Sequence, residues 1–197
     1  IGELLSQGIK EIILIAQDTT SYSDNQLDLA SLISLICRTF PKNCWLRILY
    51  TYPSKITDKL IQAMSESKQI CHYLDLPLQH ASPQILKNMK RPYDLLKTKT
   101  LIKKIRKAIP DIALRSTFIV GFPGETETDF QDLLGFIKET EFDWAGAFKY
   151  SREQGTSAAL LPNQIPEKIK QKRYEKFMET QQKIIFEKQN WHSIPRI

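Results

Sequence analysis

The chain has 197 residues, of which 42% are hydrophobic and 25% are charged, a composition that excludes an intrinsically disordered protein. The longest aliphatic run, Ile12 to Ala16, is much shorter than the roughly 18 apolar residues of a membrane span. The formal net charge is +6, and the seven glycines form no GxGxxG or GxxxxGK[ST], which argues against a glycine-cradled nucleotide phosphate.

Short apolar runs alternate with amphipathic stretches along the chain. The predicted strands are Ile12–Ala16, Trp45–Tyr50, Tyr73–Leu78, Ala113–Val120 and Ala145–Tyr150. Each interval between strand starts is long enough for a helix and two loops. This alternation predicts an α/β fold with mainly parallel strands. Because five strands are too few to close an eight-stranded barrel, we predict an open or partial (βα) barrel.

The predicted helices carry apolar stripes and capping signals. A stripe at Leu29, Ile33, Ile36 and Phe40 follows Asp24 or Asn25 as a candidate N-cap. Further caps are predicted at Ser82 before Pro83 and at Thr126 with Asp129. A long helix is predicted from Glu167 to about Gln189. The expected divisions are a core at 1–156, a loop and helix at 157–190, and an unassigned tail at 191–197.

Polar side chains collect where the predicted strands end, at the edge where parallel sheets bind ligands. They are Gln17 and Asp18 after the first strand, Gln79 and His80 after the third, Gly121 after the fourth, and Tyr150 and Ser151 after the fifth. Two charged residues, Asp75 and Arg115, lie inside apolar strands, which is costly unless they are paired or solvated. Each post-strand group taken alone is typical of an ordinary turn or helix cap, whereas Asp75 and Arg115 are harder to explain in that way.

A strongly basic segment extends from residue 90 to residue 107. It contains eight basic residues and one acidic residue, a net charge of +7. Such a segment can follow the phosphates of RNA. A solvated helix face is the alternative, because Tyr93 is the only aromatic residue in the segment that could stack on a base.

The cysteines Cys37, Cys44 and Cys71 form no CxxC pair and no disulfide framework. This usage predicts a reducing, cytoplasmic compartment and no metal site built from these residues. The chain begins at Ile1, inside a helical pattern, and we expect it to be a piece of a longer protein.

Five segments, read together, resemble a known family. They are Ile12–Tyr22, Tyr73–Ser82, Met89–Pro92, Leu114–Glu125 and Phe148–Ser151. In order and spacing they are similar to the radical S-adenosylmethionine (SAM) methylthiotransferases, and most similar to the branch that modifies a ribosomal protein. The resemblance covers about residues 1–190.

This resemblance implies two cofactors and a substrate. The cofactors are SAM and a 4Fe-4S cluster, whose CxxxCxxC ligands we expect upstream of Ile1, so the chain alone is expected to be inactive. The cluster, reduced by an electron donor, generates from SAM the radical that abstracts hydrogen. The implied product carries a methylthio group on the β-carbon of an aspartate in the twelfth small-subunit ribosomal protein. A TRAM domain is expected beyond the long helix.

The resemblance also implies residue roles. Gln17 and Asp18 are expected at the SAM amino group, Arg115 and Ser116 at its carboxylate and ribose, and Gly121, Tyr150 and Ser151 near the adenine. Gln79 and His80 are expected to face SAM or substrate. No catalytic residue is assigned, because hydrogen-atom abstraction needs no general base. The alternatives left open are a tRNA methylthiotransferase, a non-catalytic nucleic-acid-binding module that uses residues 90–107, and an inactive product of a decayed gene.

Overall fold

The computed structural model describes residues 1–24, 27–41, 43–91 and 93–191. In chain order the helices and strands are α1 Gly2–Ser6, β1 Glu11–Leu14, β2 Ser23–Asp24, β3 Leu27–Asp28, α2 Leu29–Thr39, β4 Trp45–Ile48, α3 Asp58–Glu66, β5 Tyr73–Asp75, α4 Pro83–Asn88, α5 Leu95–Ala108, β6 Ala113–Val120, α6 Glu127–Thr140, β7 Trp144–Lys149 and α7 Glu167–Trp191. Short 3₁₀ helices occupy Thr19–Ser21, Pro53–Lys55 and Ser157–Leu160. Among the described residues, no helix combines the length and apolar content needed to cross a membrane.

The chain divides into two compact units. The first contains Ile1–Pro77 and Thr100–Leu114, and the second contains Leu78–Lys99 and Arg115–Ile197. Helix α5 and strand β6 therefore contribute residues to both units. The division expected at residue 156 stays a prediction.

In the first unit, β1 and β4 pair in parallel, with Glu11 opposite Trp45 and Leu14 opposite Ile48. Side chains alternate between the two faces of this pair, and Ile12, Leu46 and Ile48 are buried. The buried stripe of α2 follows the predicted spacing, and α2 packs against α3. Helix α3, which begins after the N-cap Thr57, was not predicted.

The predicted cap of α2 is wrong. Asp28 is the N-cap, and its Oδ1 accepts a 2.8 Å hydrogen bond from the Ser31 N–H. Asp24 lies instead in β2, where it is paired with Leu27 of β3 in a short antiparallel ladder. This ladder commits the backbone of residue 24 to an extended conformation, so the helix begins later. Asn25 lies outside the described residues.

In the second unit, β6 and β7 pair in parallel, from Arg115 opposite Trp144 to Val120 opposite Lys149. Helix α7 packs on β7 and α6. The centre of the core is Phe118 of β6, whose ring centroid lies 5.4 to 6.3 Å from three other buried rings. Those rings belong to Phe136, Phe142 and Phe177.

Both helix caps predicted in this unit are confirmed. Ser82 caps α4 ahead of Pro83, and Thr126 forms a reciprocal capping box with Asp129. Strand β6 has the predicted bounds, whereas the other four predicted strands are shorter or shifted by a residue or two. The parallel pairing confirms the predicted α/β fold with mainly parallel strands.

Candidate functional site

Thr19 ties the loop after β1 to the end of β4 in the first unit. Its hydroxyl donates a 2.6 Å hydrogen bond to the Leu49 carbonyl and accepts a 3.1 Å bond from the Ala16 N–H. The Thr19 N–H donates to the Tyr50 carbonyl at 3.0 Å. Because Thr19 is buried, these bonds hold the loop in one conformation at the carboxyl ends of parallel strands.

Asp18 precedes Thr19 and is half-buried. Its Oδ1 accepts a 2.5 Å bond from the Thr20 hydroxyl, and its Oδ2 accepts one from the Ser21 hydroxyl and lies 3.0 Å from the Lys55 ammonium. Partial desolvation raises the pKa of Asp18, but these hydrogen bonds outweigh it and lower the pKa to about 2. Asp18 is therefore an anion at neutral pH. Three of its roughly four acceptor positions are used, which leaves one for a ligand.

Lys55 was not singled out from the sequence, because it is far from Asp18 along the chain and comes close only through the 3₁₀ helix Pro53–Lys55. The neighbouring Gln17 side chain is exposed to solvent.

Tyr50, two residues after the end of β4, is a second feature that the sequence did not reveal. Its φ of +55° is a left-handed conformation that non-glycine residues rarely adopt, and its side chain is exposed. Asp75 of β5 supports it: Asp75 Oδ2 accepts a 3.4 Å bond from the Tyr50 N–H, and the Asp75 carbonyl accepts bonds from the N–H and hydroxyl of Thr51. The fully buried Asp75 therefore acts on the turn after β4.

In the second unit, Gln79 joins the sheet through its backbone. Its N–H donates to the Thr117 carbonyl at 2.9 Å, and its carbonyl accepts from the Ile119 N–H at 2.7 Å. Its φ is +67°, and its side chain is half-buried. Strand β6 therefore fixes the position from which the Gln79 side chain projects.

His80 is completely buried. Its Nδ1 accepts a 2.9 Å bond from the Ser82 N–H, so the neutral ring carries its proton on Nε2. That Nε2 lies 3.6 Å from Oε2 of Glu125. The ring therefore faces a buried carboxylate of the same unit.

The turn after β6, residues 121–125, is organised around the Glu125 side chain. Glu125 Oε2 accepts bonds from the N–H groups of Gly121 at 2.6 Å and Phe122 at 3.2 Å. Gly121 and Gly124 have φ values of +72° and +84°. Glu125 was not assigned a role from the sequence, although the segment that contains it was.

Arg115 and Ser116 are neighbours on β6 and point to opposite faces of the sheet. Arg115 is exposed. Ser116 is fully buried, and its hydroxyl accepts a 3.4 Å bond from the Leu78 N–H. An external ligand can therefore reach the Arg115 side chain more readily than that of Ser116.

Tyr150 and Ser151 follow β7. The Tyr150 N–H donates to the Val120 carbonyl at 2.9 Å, and its buried ring packs edge-on against Phe122 with centroids 5.1 Å apart. Ser151 is exposed, and its hydroxyl donates to Glu153 at 2.6 Å. The second unit thus brings His80, Gly121 and Tyr150 to a single turn and its neighbours, with their backbones fixed by hydrogen bonds.

The described residues hold no group of three or more His, Cys, Asp or Glu side chains arranged for a metal ion. Cys37 and Cys44 are buried, and Cys71 is partly buried. Burial raises the pKa of Cys37 and of Cys71, which favours the thiol over the thiolate that an iron–sulfur cluster requires. The described residues therefore do not fit a cluster.

The basic segment from residue 90 to residue 107 is partly neutralised. The Lys99 ammonium lies 2.5 Å from Glu139 within the second unit, and that of Lys104 lies 2.5 Å from Asp58 within the first. Pro92 lies outside the described residues. These pairs reduce the charge available to nucleic acid.

Comparison with known proteins finds a family match and many similar sequences. The family profile "Radical SAM superfamily" matches residues 1–137. The chain is 50% identical over 185 residues to the ribosomal protein uS12 methylthiotransferase RimO of Roseiflexus castenholzii, covering 92% of this chain and 38% of the relative. It is 50% identical over 186 residues to RimO of Desulforamulus reducens, covering 93% and 42%. The chain thus spans about two fifths of the length of these curated relatives.

Solved structures support the same fold at low sequence identity. Coproporphyrinogen III oxidase from Escherichia coli, a radical SAM enzyme, aligns with a TM-score of 0.67 at 17% identity, over 91% of this chain and 40% of that one. The radical SAM methyltransferase TsrM from Kitasatospora setae aligns with a TM-score of 0.59 at 17% identity, over 75% and 29%.

Proposed function

The chain belongs to the radical SAM superfamily, and from that membership we propose that it forms part of an enzyme that adds a methylthio group to ribosomal protein uS12. One observation carries the proposal: about half of its residues are identical to those of uS12 methylthiotransferases over more than nine tenths of its length. The acceptor in this proposal is the β-carbon of an aspartate of uS12. A ribosomal substrate places its action in the cytoplasm.

The polar side chains that follow β1 in the first unit fit the amino-acid end of SAM. Asp18 is ionised at neutral pH, keeps one acceptor position open and lies in a loop that Thr19 fixes. We assign Asp18 to the ammonium group of SAM, with the exposed Gln17 beside it. A hydrogen bond between two charged groups is about twice as strong as a neutral one, so this contact orients the ligand.

The second unit offers different groups. The exposed Arg115 guanidinium suits a carboxylate, which it binds bidentately. We assign Ser116 an indirect role at the ribose, because its buried hydroxyl holds the Leu78 N–H instead of facing solvent. We assign the backbone of Gly121, Tyr150 and Ser151 to the adenine. We assign Gln79 and His80 to SAM or substrate as well. Because His80 is buried, it acts through its neighbours.

Bound SAM supplies the hydrogen-abstracting radical of the superfamily, and this chain's residues bind and orient it. The described residues do not fit an iron–sulfur cluster. In this proposal the cluster ligands and the electron donor come from outside these residues.

The activity test replaces the matching 185-residue segment of the Roseiflexus castenholzii relative with this chain. The chimera is expressed in a host that lacks its own uS12 methylthiotransferase, and uS12 is analysed by mass spectrometry. We expect a methylthio group in place of one hydrogen on an aspartate. A folded chimera that methylthiolates tRNA and leaves uS12 unmodified would favour the tRNA branch and contradict the proposal.

The binding test compares two acidic residues of the first unit. Asp18→Asn should weaken the binding of S-adenosylhomocysteine, which carries the same ammonium group, by about tenfold to a hundredfold. Asp28→Asn is the matched control, because Asp28 also has a pKa lowered to about 2 and also pairs with a lysine, Lys59. Calorimetry measures the affinity for S-adenosylhomocysteine. Equal affinity in the two variants would mean that Asp18 does not bind the ammonium group.

A further inference from the structure

Helix α7 reaches the turn at residues 121–125 from outside the segment that the superfamily profile matches, which ends at residue 137. Arg173 of α7 donates from Nη1 to Glu125 twice, to the carboxylate Oε1 at 2.9 Å and to the backbone carbonyl at 3.1 Å. The Glu125 side chain is completely buried, and that of Arg173 is nearly so. The pair is therefore an internal ion pair within the second unit.

The Glu125 carboxylate links α7 to the backbone of the turn. Oε1 pairs with Arg173, while Oε2 accepts the N–H groups of Gly121 and Phe122 and faces His80 Nε2. A buried carboxylate is strongly disfavoured unless it is paired. Without Arg173, Glu125 would have to admit water or move, and either change disturbs the two backbone bonds.

Lys170, one helical turn before Arg173, acts on the adjacent backbone. Its ammonium donates to the Tyr150 carbonyl at 2.8 Å, and its aliphatic carbons cover Gly121. Two successive turns of α7 therefore hold the backbone after β6 and after β7.

We propose that Arg173 is a positioning residue for SAM binding: it acts through Glu125 to hold the backbone of Gly121 and Phe122 in the conformation that the adenine end requires. This inference rests on the proposed function, since it assumes that the turn contacts SAM. Arg173 itself need not touch the ligand.

The first measurement reads the turn without a ligand. Hydrogen–deuterium exchange of the Gly121 and Phe122 amides is compared in the 197-residue chain, in Arg173→Met and in Phe177→Leu. Phe177 is the matched control, because it lies on the same helix one turn further on, is fully buried and packs on Phe118 instead of the turn. We expect exchange at both amides to be about tenfold faster in Arg173→Met than in Phe177→Leu. Equal protection in the two variants overturns the inference.

The second measurement is the dissociation constant for S-adenosylhomocysteine in the chimera, at a temperature where every variant is folded. Arg173→Met should weaken binding by about tenfold, Arg173→Lys by less, and Phe177→Leu not at all. Glu125→Gln keeps an oxygen for the turn amides but breaks the ion pair. In that background Arg173→Met should have little further effect.

The results of these measurements distinguish a failure of the positioning role of Arg173 from a failure of the proposed function. Unchanged affinity in Arg173→Met overturns the positioning role, as does an additive loss in the Glu125→Gln background, which would mean that Arg173 contacts the ligand directly. Failure of the unaltered protein to bind overturns the proposed function, and the positioning role with it.

Discussion

Replacing Gly121 with alanine should destabilise the second unit far more than replacing Gly124. Both glycines have positive φ, +72° and +84°, where an alanine costs about 1–2 kcal/mol. Their surroundings differ. A Cβ on Gly121 would lie 2.4 Å from Cγ and 3.1 Å from Cβ of Lys170, whereas a Cβ on Gly124 meets nothing within 4 Å.

The extra cost at Gly121 comes from Lys170. Its Cγ is close to the helix backbone and cannot swing away like the end of a flexible chain, so the whole side chain must move. That movement breaks the 2.8 Å bond from the ammonium to the Tyr150 carbonyl. A hydrogen bond to a charged group contributes about 1.5–3 kcal/mol. We therefore expect Gly121→Ala to cost about 3–4 kcal/mol, roughly 2 kcal/mol more than Gly124→Ala.

Urea unfolding followed by circular dichroism measures the loss of unfolding free energy in each glycine variant. The comparison requires that the slope of this free energy against urea concentration stay the same. A double-mutant cycle then isolates Lys170. Lys170→Ala removes the atom at 2.4 Å, so in that background Gly121→Ala should cost nearly as little as Gly124→Ala. Equal costs for the two glycine variants, or an excess at Gly121 that persists without the Lys170 side chain, would refute the reasoning.

Two further predictions concern acid stability and iron. Because the pKa of Asp18 is about 2 in the folded chain and 3.8 ordinarily, its stabilising effect is present above about pH 4 and lost as the pH falls toward 2. Asp18→Asn should flatten the curve of unfolding free energy against pH between about pH 4 and pH 2. An unchanged curve would contradict the low pKa of Asp18. Anaerobic reconstitution of the 197-residue chain with iron and sulfide should leave no stoichiometric cluster, whereas bound iron and sulfide in equal amounts would contradict this expectation.

Local signals in the sequence were sufficient for most of the framework. The bounds of β6 and the caps at Ser82 and Thr126 follow from apolar alternation and from side chains that bond to nearby backbone, interactions that span only a few residues. The cap of α2 was mispredicted because the β2–β3 ladder competes for the same residues. Helix α3 was overlooked, although Thr57 is an ordinary N-cap.

The sequence also revealed some of the candidate ligand-binding residues and not the residues that hold them in place. Asp18 and Gly121 stand out in the sequence because Asp18 lies four residues after the end of β1 and Gly121 directly follows β6. The partners that control them do not, since Lys55 and Arg173 lie far along the chain and carry no local pattern. Nor does composition reveal that His80 is fully buried and faces Glu125.

Short-range bonding and residue order were enough to predict strand β6, the positions of four further strands, the caps at Ser82 and Thr126, and the family resemblance. Which charges neutralise one another could be known only from long-range contacts. The pairing of Glu125 with Arg173 depends on where α7 packs against the sheet, and that is set by the burial of Phe118 against Phe177 and its neighbours. A buried carboxylate is stable only beside its counter-ion, so the conformation of the Gly121–Glu125 turn depends on a helix that follows it in the chain by more than forty residues.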